Sequence, residues 1–370
     1  MKRVVVIQRV LPHYRHDFFD GVERQLSNEG YEFVLYYGQE RDGEVPRTKP
    51  LVGGWARFSN NWYILRGALV FQSALFKLKV RDVVVVESAS RCLINYVLMV
   101  MNALRLIDLV FWGHGKNFQT SRVNPIAELV KKHTALMCRG WLAYTELSRD
   151  FIRSYGVPNE RITVLNNSQK DDSTLSFEDR QELFDRMNLS LGLKGVRRAV
   201  FCGGMYPEKR LTFLLESMSF IAGKDDGFEF ILIGDGPELA GLVKEWAGYD
   251  WVHFLGARYG DEKRVLIENS DLIVMPGLVG LVIIESFYSG CPMITTKNDL
   301  HSPEICYLRD GYNGCYAPNG IQEFAEFVSQ LLNDRVELGR LSKNCASSAK
   351  IYAIDNMIDN FCAGIKRVKQ

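Results

Sequence analysis

The chain has 370 residues, a formal net charge of +1 and 47% apolar residues, which is ample for two or three globular domains with sizeable cores. The longest apolar region, residues 92–112, is interrupted by Asn, Arg and Asp, which excludes a membrane span there, and the apolar run at the N-terminus is too short for a signal peptide. The eight cysteines stand singly, without zinc-ligand spacing, so we expect reduced thiols in a cytoplasmic protein and no metal site.

The first 165 residues alternate short apolar runs with amphipathic stretches. The runs predicted as strands are residues 3–8, 33–37, 83–87, 109–112, 141–145 and 162–165. Helical patterns lie between most of them, for example at 17–28 and 125–133, and region 92–112 reads as a buried helix followed by a strand. Such alternation is typical of a parallel sheet with helices on both faces.

A polar stretch then interrupts this pattern, which restarts at residue 199 with strands predicted at 228–234, 251–256, 271–275 and 292–296. We therefore predict an α/β protein with two tandem Rossmann-like, doubly wound domains: residues 1–165, a linker at 166–192, and residues 193–351. The amphipathic segment 352–370 is expected to pack back on the first domain. Because open parallel sheets bind ligands beyond the carboxyl ends of their strands, two such sheets facing each other would enclose a cleft.

Charge is divided unevenly along the chain. Residues 1–165 contain 23 Lys and Arg against 15 Asp and Glu, and the remainder contains 22 against 29. A basic first half suits anionic lipid headgroups or a phosphorylated acceptor, although charge scattered over a solvated surface explains the same count. The basic residues do not interleave with aromatic ones along any element, which disfavours nucleic-acid binding.

The segment 275–292 carries the strongest chemical signal. A buried strand runs through a glycine turn into a helix, so the first helical amides, near Gly280 and Leu281, are predicted to bind a phosphate. One turn further along, Glu285 stands among apolar neighbours, which predicts an acid that faces a cleft and binds the hydroxyls of a ribose. The alternative is a packed helix with one solvated carboxylate.

Three other turns at predicted strand ends look suited to the same ligand. Glycines allow close backbone approach, Lys and Arg neutralise phosphate charge, and an Arg-Tyr pair holds a flat base by stacking. The residues predicted to bind this donor are Gly203, Gly204, Lys209, Arg210, Gly234, Gly236, Pro237, Arg258 and Tyr259. Each turn is a weak signal alone, and their order and spacing make them specific together.

These motifs resemble the retaining glycosyltransferases of family 4, which have the GT-B fold, over essentially the whole chain. The matching segments are Pro-Glu-Lys at 207–209, Gly-Asp-Gly-Pro at 234–237 and the strand at 271–276. The resemblance implies that Lys209 holds the donor diphosphate and Glu285 the ribose hydroxyls, both as catalytic residues.

The chain departs from that family at two positions. The first glutamate of the family's paired-glutamate motif falls on Gly277, which we keep among the donor-binding residues, and the arginine that partners the loop lysine falls on Gly204. Residues 276–281 fit a branch with Pro-Gly-x-Val-Gly-Leu at this place, in which Arg210 or Arg258 would supply the missing positive charge.

Two loops of the first half would border the cleft, at residues 11–15 and 111–117. The second resembles the family's histidine-bearing loop, which implies that His114 is a catalytic residue in contact with the donor sugar. The alternative is a solvated side chain, which is common for a histidine between two glycines. Residues predicted to bind the acceptor are His13, Tyr14, Arg15, Glu87, Lys116 and Asn117. Asn167 matches a family asparagine, and a turn residue is the other interpretation.

The resemblance therefore implies a hexosyltransferase that moves a sugar from a nucleotide diphosphate donor, UDP before GDP, to a hydroxyl with retention of configuration and without metal or cofactor. We expect a glycan or lipid-linked acceptor, a role in bacterial surface polysaccharide (O-antigen or capsule) synthesis, and a cytoplasmic protein in peripheral contact with an anionic membrane. The alternatives are a sugar-nucleotide epimerase of similar fold and an inactive nucleotide-sugar-binding protein.

Overall fold

The computed structural model describes residues 2–44, 54–115, 125–298 and 300–368. Its strands are β1 (Lys2–Gln8), β2 (Tyr31–Tyr37), β3 (Ala56–Phe58), β4 (Asn61–Ile64), β5 (Leu69–Gln72), β6 (Val83–Glu87), β7 (Asp108–Gly113), β8 (Gly140–Ala143), β9 (Ile162–Val164), β10 (Arg197–Cys202), β11 (Phe228–Ile233), β12 (Val252–Gly256), β13 (Leu272–Val274), β14 (Met293–Thr296) and β15 (Gly314–Ala317).

The helices are α1 (His16–Asn28), α2 (Ile94–Ala103), α3 (Pro125–Ala135), α4 (Glu146–Ser154), α5 (Phe177–Leu191), α6 (Leu211–Ala222), α7 (Leu239–Trp246), α8 (Gly260–Glu268), α9 (Val282–Ser289), α10 (Ile321–Asn333), α11 (Arg335–Ile351) and α12 (Ile354–Val368). The chain divides into two compact units. The first comprises residues 1–170 and 352–370, and the second comprises residues 171–351.

The first unit is built on a parallel sheet with the strand order β3-β2-β1-β6-β7-β8-β9 among the described residues. Its central strands are runs of β-branched residues, which suit a sheet buried on both faces. Alternate residues of β1 and β6 enter two separate cores, one holding Val5 and Val84 and the other Val4 and Val83. Helices therefore cover both faces, as the sequence predicts.

Helix α12 belongs to the first unit, although it ends the described chain. Its residues Met357 and Phe361 are fully buried in the same core as Phe18 of α1 and Trp112 of β7. The Phe361 ring lies 5.5 Å from Phe18 and 5.6 Å from Trp112. The C-terminal helix thus closes one face of the first sheet.

The second unit has a parallel sheet with the order β12-β11-β10-β13-β14-β15 among the described residues. Numbered within the unit, this is the 3-2-1-4-5-6 order of dinucleotide-binding domains. The order reverses between β10 and β13, and both strands are fully buried along most of their length. The carboxyl ends of these two strands define the place where such a sheet binds its ligand.

The predicted linker at 166–192 is wrong for most of its length. Residues 171–192 belong to the second unit and contain α5, which packs on α8. Ser176 caps the start of α5 by accepting a hydrogen bond from the Asp179 backbone N–H at 3.1 Å, and Gly192 ends it in a left-handed conformation. The polar composition that suggested a linker belongs to an exposed helix.

No helix in the described part of the chain is long and apolar enough to cross a membrane. None of the eight cysteines forms a disulfide among the described residues, and seven of them are buried.

Candidate active site

The loops that leave β10 and β13 meet in the second unit and are held together by main-chain contacts. The Leu278 backbone N–H donates to the Glu208 carbonyl oxygen at 2.8 Å, which ties the loop after β13 to the Pro207–Lys209 turn after β10. A Cβ atom on Gly277 would lie 2.5 Å from the Lys209 carbonyl carbon and closer still to the Glu208 carbonyl oxygen. A residue larger than glycine does not fit at position 277, because the neighbouring turn fills the space that a side chain needs.

Lys209 is buried between these two loops. Its Nζ donates to the Leu278 carbonyl oxygen at 2.5 Å and lies 3.6 Å from the Met275 sulfur. An added Cβ on Gly203 would lie 4.0 Å from the same Nζ, so the ammonium sits at the carboxyl end of β10. Burial lowers the pKa of Lys209 to about 8. A bound anion stabilises a cation held in this way, because burial has already removed much of the water around the charge.

The start of α9 offers donors to the same place. Among the described residues, the backbone N–H groups of Gly280 and Leu281 have no hydrogen-bond acceptor, as expected just ahead of a helix. His301 holds the loop that contains these amides, because its Nδ1 accepts a hydrogen bond from the Val279 N–H at 3.1 Å. Burial lowers the pKa of His301, which keeps the ring neutral and able to accept this bond.

Glu285 lies on α9 and is 6% exposed. Its Oε1 accepts a hydrogen bond from Lys263 Nζ at 2.8 Å, and Lys263 also lies 3.3 Å from Asp172. Burial raises the pKa of Glu285, and the Lys263 ammonium opposes that shift. The acid is therefore half of an ion pair, so the solvated carboxylate considered from sequence is ruled out.

Glycines bring the turns after β10 and β11 into backbone contact. A Cβ on Gly234 would collide with the Gly203 carbonyl oxygen, and one on Gly236 would lie 2.5 Å from the Met205 carbonyl oxygen. The Met205 N–H donates to the Asp235 carbonyl oxygen at 2.9 Å. Pro237 follows in the same turn, just before α7. The two turns thus form one continuous edge beside Lys209.

Arg210 adopts a left-handed conformation at the start of α6, with φ 57°. Its Nη1 donates to Asn319 Oδ1 at 2.6 Å, and its guanidinium lies 4.2 Å from the centre of the Phe213 ring. Burial lowers the pKa of Arg210. The side chain is thus directed toward the segment after β15, and donor binding by Arg210 stays a prediction.

The other donor residues predicted from sequence have different surroundings. Arg258 lies 3.6 Å from Glu262, and Tyr259 is 74% exposed just before α8. A Cβ on Gly204 would meet the ring of Tyr206, a side chain that can move, so this position lacks the main-chain obstruction found at Gly277.

In the first unit, His114 follows β7 and lies beside other predicted residues. Its Nδ1 is 3.2 Å from the Ser148 hydroxyl, and its ring centre is 4.4 Å from that of Tyr144. The Arg15 guanidinium lies 5.4 Å from the same Tyr144 ring and donates to Asn167 Oδ1 at 2.6 Å. These side chains form one cluster at the carboxyl edge of the first sheet.

The predicted acceptor residues are distributed unevenly around that edge. His13 and Tyr14 are exposed, and Glu87 is half-buried at the end of β6. Arg15 is 6% exposed and surrounded by aromatic rings, so in this conformation it supports the cluster, and a direct contact with an acceptor stays a prediction. Lys116 and Asn117 lie outside the described residues.

Sequence reasoning missed three site residues: Lys263, His301 and Leu278. Lys263 lies within a charged run at the start of α8 that resembles any solvated helix, and its pairing with Glu285 depends on the contact between α8 and α9. His301 and the Leu278 carbonyl act through loop packing, which leaves no sequence signal. Within the described residues, no group of three or more His, Cys, Asp or Glu side chains is placed to hold a metal.

Residues 196–334, which begin just before β10, match the family model described as "Glycosyl transferases group 1". No curated protein sequence matches the chain significantly.

Solved structures resemble the chain over its full length. HepE of Anabaena, crystallised with UDP, is 17% identical with a TM-score of 0.69, covering 99% of this chain and all of that one. A glycosyltransferase from Rickettsia africae is 12% identical with a TM-score of 0.71, covering 100% of this chain and 99% of that one. A protein assigned as UDP-N-acetylglucosamine 2-epimerase from Listeria monocytogenes is 12% identical with a TM-score of 0.64, covering 99% and 96%. These likenesses confirm the predicted fold class, with parallel α/β sheets of the kind found in GT-B glycosyltransferases.

Proposed function

We propose that the chain is a retaining glycosyltransferase that uses a nucleoside diphosphate sugar, with UDP favoured over GDP. One observation carries the proposal: where the second sheet reverses its strand order, the buried Lys209 bonds to a loop that also holds two backbone amides without an acceptor among the described residues. An anion with two phosphates suits that arrangement. The match to glycosyltransferases group 1 covers the same unit, and HepE of Anabaena has been crystallised with UDP-glucose.

In this proposal the diphosphate is the leaving group, and its growing negative charge is the main barrier. Lys209 and the amides of Gly280 and Leu281 stabilise that charge as the bond between the sugar C1 and the phosphate oxygen breaks. The acceptor oxygen bonds to C1 from the same face, and its proton passes to the departing phosphate oxygen. One fixed donor contributes about 3 kcal/mol to such a step, so loss of Lys209 lowers the rate roughly a hundredfold.

Glu285 binds the ribose hydroxyls in this scheme, with Lys263 keeping its carboxylate charged in spite of burial. His114, in the first unit, contacts the donor sugar. The reaction uses no metal, the acceptor is a glycan or a lipid-linked glycan, and the product enters a bacterial surface polysaccharide. These finer assignments follow the resemblance to family 4.

The first test is nucleotide binding by calorimetry. We expect UDP to bind Lys209→Ala at least about tenfold more weakly than the wild type, because one charge-assisted hydrogen bond contributes about 1.5–3 kcal/mol. The control is Lys244→Ala, which removes an exposed lysine on α7 and should bind UDP like the wild type. Equal binding by all three proteins would remove Lys209 from the site.

The second test separates transfer from its alternatives. UDP-sugars and a panel of hydroxyl acceptors are incubated with the protein, with and without EDTA, and products are followed by NMR of the anomeric proton. Retained configuration in a glycosylated acceptor supports the proposal. A changed sugar in the absence of acceptor would favour an epimerase, the alternative suggested by the Listeria structure, and donor binding without any turnover would favour an inactive binding protein.

A further inference from the structure

The two-stranded ribbon β4-β5 of the first unit carries an unusual outer face. The strands are antiparallel, with Trp62 opposite Phe71 and Ile64 opposite Leu69. Because alternate residues of a strand point to opposite sides, these four side chains share one face. The Trp62 and Phe71 rings stack with their centres 5.6 Å apart, and the Phe76 ring lies 6.4 Å from Trp62. We call Trp62, Ile64, Leu65, Leu69, Phe71 and Phe76 the ribbon face.

The opposite side of the ribbon packs on the first unit and mixes polar residues, Asn61 and Gln72, with the apolar Val70, which is 1% exposed, and the half-buried Tyr63. Asn61 is 3% exposed, and its Nδ2 donates to the carbonyl oxygens of Arg9 and Gln39 at 2.6 and 2.8 Å. The Arg9 guanidinium donates to the Tyr63 hydroxyl at 3.1 Å. Val70 and Tyr63 on this side pack in a core of the first unit, whereas none of the ribbon-face residues belongs to either described core. The ribbon face therefore needs an explanation other than burial in those cores.

The ribbon face is open to solvent. Trp62 is 50% exposed, Phe76 69% and Leu65 70%. A contiguous apolar surface of this kind marks an interaction site more often than chance exposure does.

In the sequence, basic residues flank the residues of the ribbon face. Residues 54–81 contain Arg57, Arg66, Lys77, Lys79 and Arg81, all of them exposed, and no Asp or Glu. Exposed Trp and Phe beside Lys and Arg match the interface of a bilayer with anionic headgroups. A second copy of the chain fits less well, because a symmetric contact would bring the same cations together.

We propose that the ribbon face docks the first unit on an anionic lipid bilayer. The bonds from Asn61 to Arg9 and Gln39 place the ribbon beyond the ends of β1 and β2, at the same edge of the first sheet as His114. Docking there brings this edge to the membrane surface, where the sugar-bearing end of a lipid-linked acceptor lies. This step rests on the proposed function and names the place where that acceptor is presented.

Vesicle co-sedimentation tests the docking without nucleotide or acceptor. The full chain is mixed with phosphatidylcholine vesicles that contain either no anionic lipid or about 30% phosphatidylglycerol. We expect the wild type to sediment with the anionic vesicles and to be released by high salt. Lys77→Gln/Lys79→Gln should lower the partition coefficient at least about tenfold, since each cation near the surface is worth roughly fivefold.

A second pair of variants tests the apolar contribution. Trp62→Ser/Phe76→Ser should also lower partitioning at least about tenfold, because it removes two large apolar side chains from the contact. The matched control is Phe177→Ser/Leu189→Ser, which removes two apolar side chains of α5 that are 69% and 84% exposed and should leave partitioning unchanged.

Several results would overturn the proposal: no sedimentation of the wild type with anionic vesicles, equal loss in the α5 control, or a concentration-dependent dimer that Trp62→Ser/Phe76→Ser abolishes. UDP binding by calorimetry is measured in parallel on every variant. Normal UDP binding without vesicle binding would refute docking alone, and vesicle binding without UDP binding would refute the proposed function alone.

Discussion

Replacing Gly277 by alanine tests the contact that holds the candidate site together. The new Cβ would lie 2.5 Å from the Lys209 carbonyl carbon and 2.6 Å from its oxygen, far inside the normal contact distance. Both are main-chain atoms of a turn that carries the buried lysine, so no side-chain rotation relieves the clash. Either the loop after β13 or the Pro207–Lys209 turn has to move.

We expect Gly277→Ala to lower the free energy of unfolding by about 1–3 kcal/mol, the usual effect of overpacking a filled space. For a unit of this size each kcal/mol lowers Tm by roughly 2–4 °C. The same displacement moves Lys209 from the loop amides, so UDP binding should weaken at least about tenfold.

Gly241→Ala is the control, because Gly241 lies on α7, outside the candidate site, and its added Cβ would meet no described atom within 4 Å. Thermal unfolding followed by circular dichroism gives Tm, and calorimetry gives the Kd for UDP. If Gly277→Ala keeps the Tm and the Kd of the wild type, as we expect for the Kd of Gly241→Ala, the described contact between the two loops is not the one that shapes the site.

Three further predictions follow from charged side chains. Because burial lowers the pKa of Lys209 to about 8, calorimetry between pH 7 and 9 should show UDP affinity falling above about pH 8, by up to tenfold per pH unit, and no such fall in Lys209→Ala. Lys263→Met should lower the free energy of unfolding, measured in urea at neutral pH, by about 3 kcal/mol. The loss should be smaller under acidic conditions, because burial raises the pKa of Glu285 and lets the carboxylate take up a proton. Lys263→Met/Glu285→Gln should recover much of the loss, and an equal loss in the single and double variants would refute the pairing. Arg15→Met should lower the free energy of unfolding by about 1–3 kcal/mol, and Tm by several degrees, because it removes the hydrogen bond that Arg15 donates to the buried Asn167. An unchanged Tm would show that the Arg15 cluster adds no stability.

The sequence predicted the fold well where hydrophobic runs were long and uniform. The valine-rich strands β1 and β6 are buried on both faces, so their pattern is continuous and easily recognised. It missed β4 and β5, because each strand has only four residues and carries apolar side chains on both faces, and it took residues 177–191 for linker, because α5 buries little of its surface.

The candidate site was predictable to the extent that it is built from turns. The glycines at 203, 234 and 236 stand at the ends of parallel strands, and the strand order brings those ends together. The partners of the charged groups were not predictable. Lys263 reaches Glu285 from another helix, and neither its spacing nor its neighbours in sequence indicate the contact.

The glycine at 277 has a physical explanation that links the sequence to the site. In the resembling family a glutamate stands there, whereas in this chain the Pro207–Lys209 turn occupies the space and bonds to Leu278. A carboxylate at 277 would therefore displace the turn that positions Lys209. If the chain transfers sugar, the group that contacts the sugar in place of the missing acid has to come from elsewhere, because this loop has no room for it.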